Sequence, residues 1–318
     1  MKKAAICLTV SLVLMLGGAL LVMLFLPTVM EESGTIMIFT EKTETISESV
    51  TQIMADVSWG TVEFLPSEDG TCTVTREEKD HVTFDVSVND GYLKIVMQDS
   101  RPWYNRLFTF KSPTLTVRLP KGTYEALTVR TSSGKITVAD GFTFDTATVA
   151  ATSGDVRYCS DGGDLNLSVT SGDAELNGVS AETLQANVTS GDLVVNSVTA
   201  KRLTLSGSSG SIYVNDAALS ESLSVKLSSG TVMLAKTVSE GDFSATTTSG
   251  GIYLDRCDGK NIDIKTTSGS VRGTLLSEKI FNAKATSGSV NVPDSTLNAE
   301  GICNINTTSG NINISIAE

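Results

Sequence analysis

The chain has 318 residues, of which 40% are hydrophobic and 19% charged, a balance that supports a packed core and excludes a disordered protein. Its 27 glycines and 6 prolines, together with abundant Ser and Thr, predict many short β-strands joined by tight turns. The formal net charge of −12 excludes a nucleic-acid partner, because phosphate binding needs clustered Lys and Arg.

The N-terminal segment, residues 1–30, predicts a membrane anchor. Lys2 and Lys3 precede an uncharged run, and its most apolar part, Ala4 to Leu26, would span about 35 Å as a helix. A bilayer has about 30 Å of hydrocarbon. A cleaved signal peptide has a shorter apolar region and a small-x-small cleavage site, which residues 26–30 do not offer. Because positive charge precedes the segment, the N-terminus is expected inside the cell and residues 31–318 outside.

Two segments separate this anchor from a repeat. Residues 31–50 are charged and rich in Ser and Thr, which predicts a stalk. Residues 51–120 predict an irregular β module that caps a repeat stack, since stack ends expose apolar surface and unpaired strand edges. Its aromatic stretch, Pro102 to Phe108, is interpreted as packing over the first turn, with a partner-binding or membrane-surface loop as the alternative. The predicted strands are Thr61 to Leu65, Thr71 to Thr75, Val82 to Val88, Tyr92 to Met97 and Thr114 to Leu119.

A repeat fills residues 121–318. The motif Ser-Gly, often extended to Thr-Ser-Gly, returns at nearly constant intervals that are too regular for chance. Ser58-Trp59-Gly60 is interpreted as a degenerate earlier copy. The motif glycines are Gly134, Gly154, Gly172, Gly191, Gly210, Gly230, Gly250, Gly269, Gly288 and Gly310.

Apolar residues flank each motif glycine at fixed distances. They recur seven and five residues before it and two and four residues after it, the period-2 pattern of strands with one buried face. The alternation fails across the motif, so the chain must bend there, and glycine suits a corner with positive φ. Apolar residues seven or eight positions after the glycine predict a third inward side: Phe142, Val179, Val198, Val238, Cys257 and Leu276.

These patterns predict an all-β fold, a parallel β-helix or β-solenoid with about ten rungs of 19–20 residues, plus one N-terminal transmembrane helix. A single rung cannot offset the entropy of ordering its residues, about 1.5 kcal/mol each, so rungs must stack. An antiparallel sandwich is the alternative, but hairpins usually show Asn-Gly or Asp-Gly turns and keep no fixed repeat. The last strand, Asn311 to Ile316, is expected to lie uncovered and to fray.

The chain resembles the putative-adhesin family of bacterial β-strand-repeat proteins, a domain of unknown function. The features that carry the resemblance are the tandem Thr-Ser-Gly-Asp units, such as Thr170 to Asp173 and Thr189 to Asp192, and the segment Leu115 to Pro120. The resemblance covers about residues 50–316. It implies a location in the cell envelope, often beside a membrane anchor, and it carries over no catalytic residue.

Residues for chemistry are scarce. His81 is the one histidine, which excludes a catalytic triad or a histidine-rich metal site, and we interpret it as a surface loop residue. Asp155, Asp173 and Asp192 follow the glycine on consecutive rungs, so their carboxylates should stack. A bound Ca²⁺ could relieve their repulsion, but a solvated row of turn residues is the preferred interpretation, since the nonapeptide of calcium β-rolls is missing.

The five cysteines, Cys7, Cys72, Cys159, Cys257 and Cys303, form no C-x-x-C pair and are interpreted as small core residues rather than a disulfide framework. No phosphate-binding or dinucleotide-binding motif is present. Carbohydrate lyases with parallel β-helices need long inserted loops around a cleft, and rungs this short leave no room for them. We therefore predict no catalytic residue, no metal ligand and no cofactor, and the sequence identifies no ligand-binding residue.

The sequence thus predicts a non-enzymatic, adhesin-like surface scaffold or binding module of the cell envelope, held in the membrane by its N-terminal helix. The alternative is an extracytoplasmic accessory or sensor of a membrane signalling or envelope-stress system. A glycan-active β-helix enzyme is the least favoured function. The expected partners are the membrane and a surface or membrane protein, with no nucleic acid.

Overall fold

The computed structural model describes residues 39–101, 111–296 and 299–317. Every regular element in these ranges is a β-strand, so the predicted all-β class is confirmed. The predicted transmembrane helix and the aromatic stretch 102–108 lie outside the described residues. Within the described ranges, no helix has the length and apolar character needed to cross a bilayer.

The strands divide into an N-terminal group and a long stack. The N-terminal group comprises β1 (Thr40–Ile46), β2 (Gln52–Pro66), β3 (Cys72–Glu78), β4 (Val82–Asn89), β5 (Tyr92–Asp99) and β6 (Thr114–Leu119). The stack continues with β7 (Gly122–Val138), β8 (Phe142–Ser153), β9 (Val156–Tyr158), β10 (Asp161–Ser171), β11 (Ala174–Asn177), β12 (Ser180–Ser190), β13 (Leu193–Ser209), β14 (Ile212–Ser229), β15 (Val232–Ser249) and β16 (Ile252–Ser268). It ends with β17 (Val271–Leu275), β18 (Ile280–Ser287), β19 (Val290–Asn291), β20 (Ile302–Ser309) and β21 (Ile312–Ile316).

Successive turns of the chain pair in parallel, which confirms the β-solenoid. From β7 to β16 each strand pairs with the strand one repeat later, so that β13 pairs with β14, β14 with β15 and β15 with β16. The register keeps motif serines opposite one another, as in Ser209↔Ser229 and Ser229↔Ser249. The antiparallel sandwich is therefore wrong for this part of the chain.

The predicted inward positions form one continuous core. Residues seven and five before the glycine, and two and four after it, are buried on successive turns, as Leu203, Leu205, Ile212 and Val214 show for one turn. The position three before the glycine also points inward. It carries Thr266 and Thr307, whose hydroxyls donate to the carbonyl oxygens of Gly250 and Gly269 at 3.1 and 3.0 Å.

The third inward side was predicted correctly in part. Phe142, Val179, Val198 and Cys257 are buried there, but Val238 is 36% exposed and Leu276 is 42% exposed. Their predicted inward orientation is wrong, because Thr237 and Leu275 occupy the core positions instead.

A second corner explains these two errors. Six residues after the glycine the backbone takes positive φ without needing glycine, at Ser197, Asp216, Lys236 and Arg256. This left-handed residue turns the next one inward, so that Thr237 rather than Val238 enters the core. Near Leu276 the turn comes earlier, because Gly273 has φ 151° and Leu275 then points inward.

The motif glycines stand in a single file along the stack. In ten of them a Cβ would overlap the carbonyl oxygen of the glycine on the neighbouring turn, and most have φ between 119° and 150°. Both the close approach and the backbone angle require glycine. In spatial order the file is Gly60, Gly134, Gly154, Gly172, Gly191, Gly210, Gly230, Gly250, Gly269, Gly310 and Gly288.

At the N-terminal end, the first complete turn lies inside the stack. Strand β2 pairs in parallel with β7 on one side and with β5 and β6 on the other. Antiparallel strands then close the end, with β4 on β5, β3 on β6 and β1 on β3. The outermost strand β1 carries charges paired to its neighbour, including Lys42–Glu78 at 2.6 Å and Glu44–Arg76 at 2.8 Å. Such charged edges resist pairing with further strands.

At the C-terminal end, the last two turns are stacked out of chain order. Strands β20 and β21 pair with β16 and β17 on one side and with β18 and β19 on the other. Ile312 and Asn313 of the final strand are thus paired on both edges, and for them the expectation of an uncovered strand is wrong. Ile314 to Ile316 pair with β17 alone. The outermost turn is β18 with β19, where Ile280 is 51% exposed and Val290 is 43% exposed.

The side chains of the two turns explain this order. The inner turn contributes Ile305, Ile312 and Ile314 to the core, all buried, whereas the outer turn has the smaller Ala283 opposite Ile305 and Val290 opposite Ile312. Placing the bulkier turn between two others removes more apolar surface from water, at about 25 cal/mol per Å².

A buried ion pair holds the crossing chains together at this end. The Lys279 ammonium lies 2.9 Å from Asp258 Oδ1 and donates to the Glu300 carbonyl oxygen at 2.7 Å, and its side chain is 2% exposed. Lys279 precedes β18, Asp258 lies on β16 and Glu300 precedes β20. One side chain therefore connects the three segments that the reordered turns bring together.

The glycine file can be tested with two matched alanine substitutions. Gly191→Ala places a Cβ against the Gly172 carbonyl at φ 134°, so we expect a loss of about 3 kcal/mol or more of unfolding free energy. Gly178→Ala at φ 64° meets no atom within 4 Å and should cost only about 1 kcal/mol. Guanidinium unfolding followed by circular dichroism measures both, and equal losses would contradict the close-approach explanation.

The order of the last turns can be tested by disulfide trapping. Ser268 lies opposite Ser309, and Ser309 lies opposite Ser287. Neighbouring strands are about 4.8 Å apart, within the Cα separation that a disulfide spans. Ser268→Cys with Ser309→Cys should therefore crosslink under mild oxidation, whereas Ser268→Cys with Ser287→Cys should not. Peptide maps under non-reducing conditions give the result. If only the second pair crosslinks, the last two turns are stacked in chain order.

Candidate functional site

Two columns of hydroxyl groups run along the glycine corner. The serine directly before each motif glycine is exposed, and the register places it opposite the same serine of the next turn. The preceding Ser or Thr is also exposed in nearly every turn. We call these the hydroxyl columns: Ser132 and Ser133, Thr152 and Ser153, Thr170 and Ser171, Thr189 and Ser190, Ser208 and Ser209, Ser228 and Ser229, Thr248 and Ser249, Thr267 and Ser268, Thr308 and Ser309, and Thr286 and Ser287.

The predicted aspartate row is present, and each of its carboxylates accepts a hydrogen bond from one backbone amide. Asp155 Oδ1 accepts the amide of Asp173 at 3.1 Å, and Asp173 Oδ1 accepts the amide of Asp192 at 2.8 Å. Asp192 Oδ1 accepts the amide of Ser211 at 2.8 Å. Each carboxylate thus satisfies a corner amide of the following turn, which is a structural role. Within the described ranges, no group of three or more potential ligand residues is placed to hold a metal ion.

The remaining reactive side chains are dispersed. His81 is exposed beside Ser100, whose hydroxyl lies 3.4 Å from its ring nitrogen Nδ1. Cys72, Cys257 and Cys303 are buried and Cys159 is half-buried, all as free thiols. Burial raises the pKa of the Cys72 and Cys257 thiols to about 11 and that of Cys303 to about 12, so these three remain protonated and unreactive at neutral pH.

An ion pair lies against the indole ring of Trp59, at the corner formed by Gly60. Trp59 occupies there the position that the motif serine takes on later turns. The Trp59 indole nitrogen donates to Asp99 Oδ2 at 2.8 Å, and Arg101 makes hydrogen bonds to both oxygens of Asp99 at 2.9 and 2.8 Å. The guanidinium carbon lies 4.4 Å from the centre of the Trp59 ring. Arg101 and Asp99 side chains are 6% and 4% exposed.

The charge of Asp99 is stabilised by these contacts. Burial alone would raise the pKa of Asp99, but hydrogen bonds from the Arg101 side chain and backbone and from Trp59 outweigh it and hold the pKa at about 2. This cluster was not predicted from the sequence. The only signal was the tryptophan in place of a motif serine, since nothing in the spacing links residue 59 to residues 99 and 101.

Lys111, on the other side of the segment 102–110 from Arg101, is also bound to the end of the stack. Lys111 pairs with Glu77 at 2.9 Å and lies 5.5 Å from the centre of the Phe39 ring, while Glu77 also accepts the amide of Thr114 at 2.9 Å. Phe39 in turn contacts the Trp59 ring, with centroids 6.5 Å apart. The residues on both sides of the segment 102–110 are therefore bound to the end of the stack.

A family model named Toastrack DUF4097 matches residues 50–237 and again residues 232–318. The chain belongs to the Toastrack family. This confirms the resemblance that the Thr-Ser-Gly-Asp units indicated. No curated protein matches the chain.

Several solved structures are similar to this Toastrack chain. A putative adhesin from Bacteroides fragilis is 14% identical over 87% of this chain and 97% of its own, with a TM-score of 0.36. A putative lipid binding protein from Parabacteroides distasonis is 16% identical with the same coverage and a TM-score of 0.44. A putative adhesin from Parabacteroides merdae is 11% identical over 88% and 97%, with a TM-score of 0.41. Likenesses of this size carry no argument about function.

The third side of the Toastrack stack has two adjoining shallow grooves of about 490 and 500 Å³. Small residues in one register line form the floor, including Gly162, Ala181 and Ala200. Lys201 on the rim pairs with Glu182 at 3.0 Å. Among the described side chains that line the grooves, none forms a hydrogen-bonded pair of nucleophile and general base.

The pH dependence of stability tests the role of Asp99. Its folded pKa of about 2 is below the ordinary 3.8, so its stabilisation is complete above pH 4 and is lost as pH falls through 2. Asp99→Asn should therefore cost on the order of 2 kcal/mol at pH 7 and much less near pH 2. Thermal unfolding at both pH values measures this. Asp85→Asn, at an exposed site on β4, is the control, and an Asp99→Asn deficit that does not shrink in acid would contradict the assignment.

Proposed function

We propose that this Toastrack protein is a non-enzymatic surface scaffold of the cell envelope that binds partners along the side of its stack. The observation that carries the proposal is the parallel pairing from β7 to β16, which keeps one register on both sides of the glycine corner and so aligns equivalent outward side chains in columns. A partner with a repeating structure can contact such columns at many equivalent points. Many weak contacts to one rigid surface give a high combined affinity.

The geometry supports binding rather than turnover. The short, regular turns from Gly134 to Gly310 leave no long loop to enclose a substrate. The aspartate row is occupied by backbone amides, and the buried carboxylates Asp99 and Asp258 are engaged by Arg101 and Lys279. Catalytic acids and bases need access to substrate in a water-excluding site. Asp155 and Asp173 are exposed to solvent, and Asp99 and Asp258 are paired with basic side chains, so none of these carboxylates meets both conditions.

The proposed location rests on the sequence. The uncharged run that follows Lys3 is long enough to hold residues 31–318 at the outer face of a membrane. With the stack outside, the hydroxyl columns would be open to surface polymers or to other membrane proteins. A sensor that signals through a membrane partner would share this location, so a further measurement is needed to separate the two.

Cell fractionation combined with protease shaving tests the proposal. We expect the full-length chain in the membrane fraction and its stack degraded by protease added to intact cells, while a cytosolic marker survives. Deletion of residues 4–26 should abolish membrane retention. Recovery of the intact chain in the cytosol would overturn the location.

Detergent extraction and affinity capture then separate scaffold from sensor. A scaffold that binds through its outward columns should return no stoichiometric membrane protein. A defined membrane partner retained at equal amount would favour the sensor and contradict the scaffold.

A further inference from the structure

A column of outward apolar and aromatic side chains, two of them exposed and two half-buried, runs along the side of the stack that follows the glycine corner. Three residues after the glycine, the register aligns Val194, Tyr213, Met233 and Tyr253 on four successive turns. We call this set the tyrosine column. Tyr253 is 40% exposed and Met233 is 42% exposed, although only 6% of the whole chain is aromatic. Exposed apolar patches of this kind mark interaction sites.

The column is confined to these four turns. The preceding turns carry Arg157 and Glu175 at the same position, and the following turn carries Arg272. Because the position points outward on each of these turns, core packing does not require an aromatic residue there. The two tyrosines are therefore not required by the core.

A glycine makes room for one of the rings. Directly after the corner glycine, the equivalent residues are Asp192, Ser211 and Thr231, but on the turn of Tyr253 the residue is Gly251. A Cβ at Gly251 would lie 2.7 Å from Cε2 and 3.0 Å from Cζ and Oη of Tyr253. The Tyr253 ring therefore packs against the backbone of Gly251 with Cε2, Cζ and Oη closest, while 40% of the residue stays exposed.

Uncharged polar groups lie beside the first members of the column, whereas Arg272 lies opposite Tyr253 on the following turn. Asn196 and Asn215 lie two residues further along their strands and opposite each other, and the Asn196 amide donates to Asn177 Oδ1 at 2.9 Å. On the corner side stand Ser211 and Thr231, beside the hydroxyl columns. Aromatic faces combined with amides and hydroxyls match the apolar faces and hydroxyl edges of sugar rings. The net charge of −12 disfavours an anionic polymer.

We infer that the tyrosine column binds a neutral, extended, β-linked glycan that runs along the stack axis. Tyr213 and Tyr253 are two turns apart, or about 9.6 Å at the usual strand spacing, which is close to the length of one disaccharide unit. Alternate sugar rings stack on the two phenol rings, and Met233 contacts the ring between them. Asn196, Asn215 and the corner hydroxyls hydrogen-bond to the edges. This inference rests on the proposed function and names its ligand class.

Calorimetric titration of the full-length protein in detergent with chitohexaose and cellohexaose tests the inference. We expect at least one hexamer to bind. Tyr213→Ala and Tyr253→Ala should each raise its Kd about tenfold, since an aromatic contact contributes about that factor. Tyr92→Ala is the matched control, because Tyr92 is 38% exposed but lies on β5, away from the column.

A further variant separates ring placement from the presence of the ring. Gly251→Ser keeps Tyr253 and restores the side chain that neighbouring turns carry, so the fold should survive while the ring is displaced from the backbone. We expect it to raise Kd by a factor similar to that of Tyr253→Ala. Unchanged circular dichroism spectra for all variants confirm folding.

Several results would overturn the inference. These are failure of both hexamers to bind, binding that is the same in the two tyrosine variants and wild type, or a tyrosine-dependent affinity for dextran sulfate. A change of sedimentation coefficient in the tyrosine variants would show instead that the column joins two copies of the chain. None of these results bears on fractionation or protease shaving, so the proposed surface function would be judged separately.

Discussion

The contact on which this fold depends is that of each motif glycine with the carbonyl oxygen of the glycine on the neighbouring turn. A Cβ at either end would overlap backbone atoms, and the positive φ of the corner disfavours any other residue. Because the glycine corners stack directly on one another, the strand after each corner pairs in register with the equivalent strand of the neighbouring turn. The core positions, the hydroxyl columns and the tyrosine column all follow from that alignment.

The sequence was sufficient for the features that repeat with this glycine. Its spacing predicted the stack, and alternation on either side predicted core residues such as Leu205 and Val214, both buried. The third side was harder, because its corner is made by left-handed residues such as Lys236 and Arg256. Those residue types do not signal a turn, so apolar residues seven or eight positions after the glycine predict this side, and that rule wrongly places Val238 in the core.

The order of the final turns could not be read from the motif. Gly288 and Gly310 both follow Thr-Ser, so the motif allows either turn to follow Gly269. What decides the order is a difference in apolar bulk, with Ile305 and Ile314 buried and Ala283 left at the end, together with the contacts of Lys279. The isoleucines are present in the sequence, but their effect on the stacking order can be judged only if it is known that one of the two turns must be outermost. The Trp59–Asp99–Arg101 cluster was hidden for a similar reason, because its members are far apart in the chain.

In a regular repeat, a residue that departs from the repeat pattern can be identified directly. Core and corner positions must conform, since each contacts its equivalents on both sides, whereas outward positions can differ from turn to turn at little cost in stability. Gly251 is such a departure, since the neighbouring turns carry Ser or Thr there, and it coincides with the ring of Tyr253. Two departures that fit each other on an exposed face are not explained by the demands of the fold. The proposed glycan accounts for both, because the space left at Gly251 lets the Tyr253 ring pack there while 40% of the residue stays exposed to a ligand.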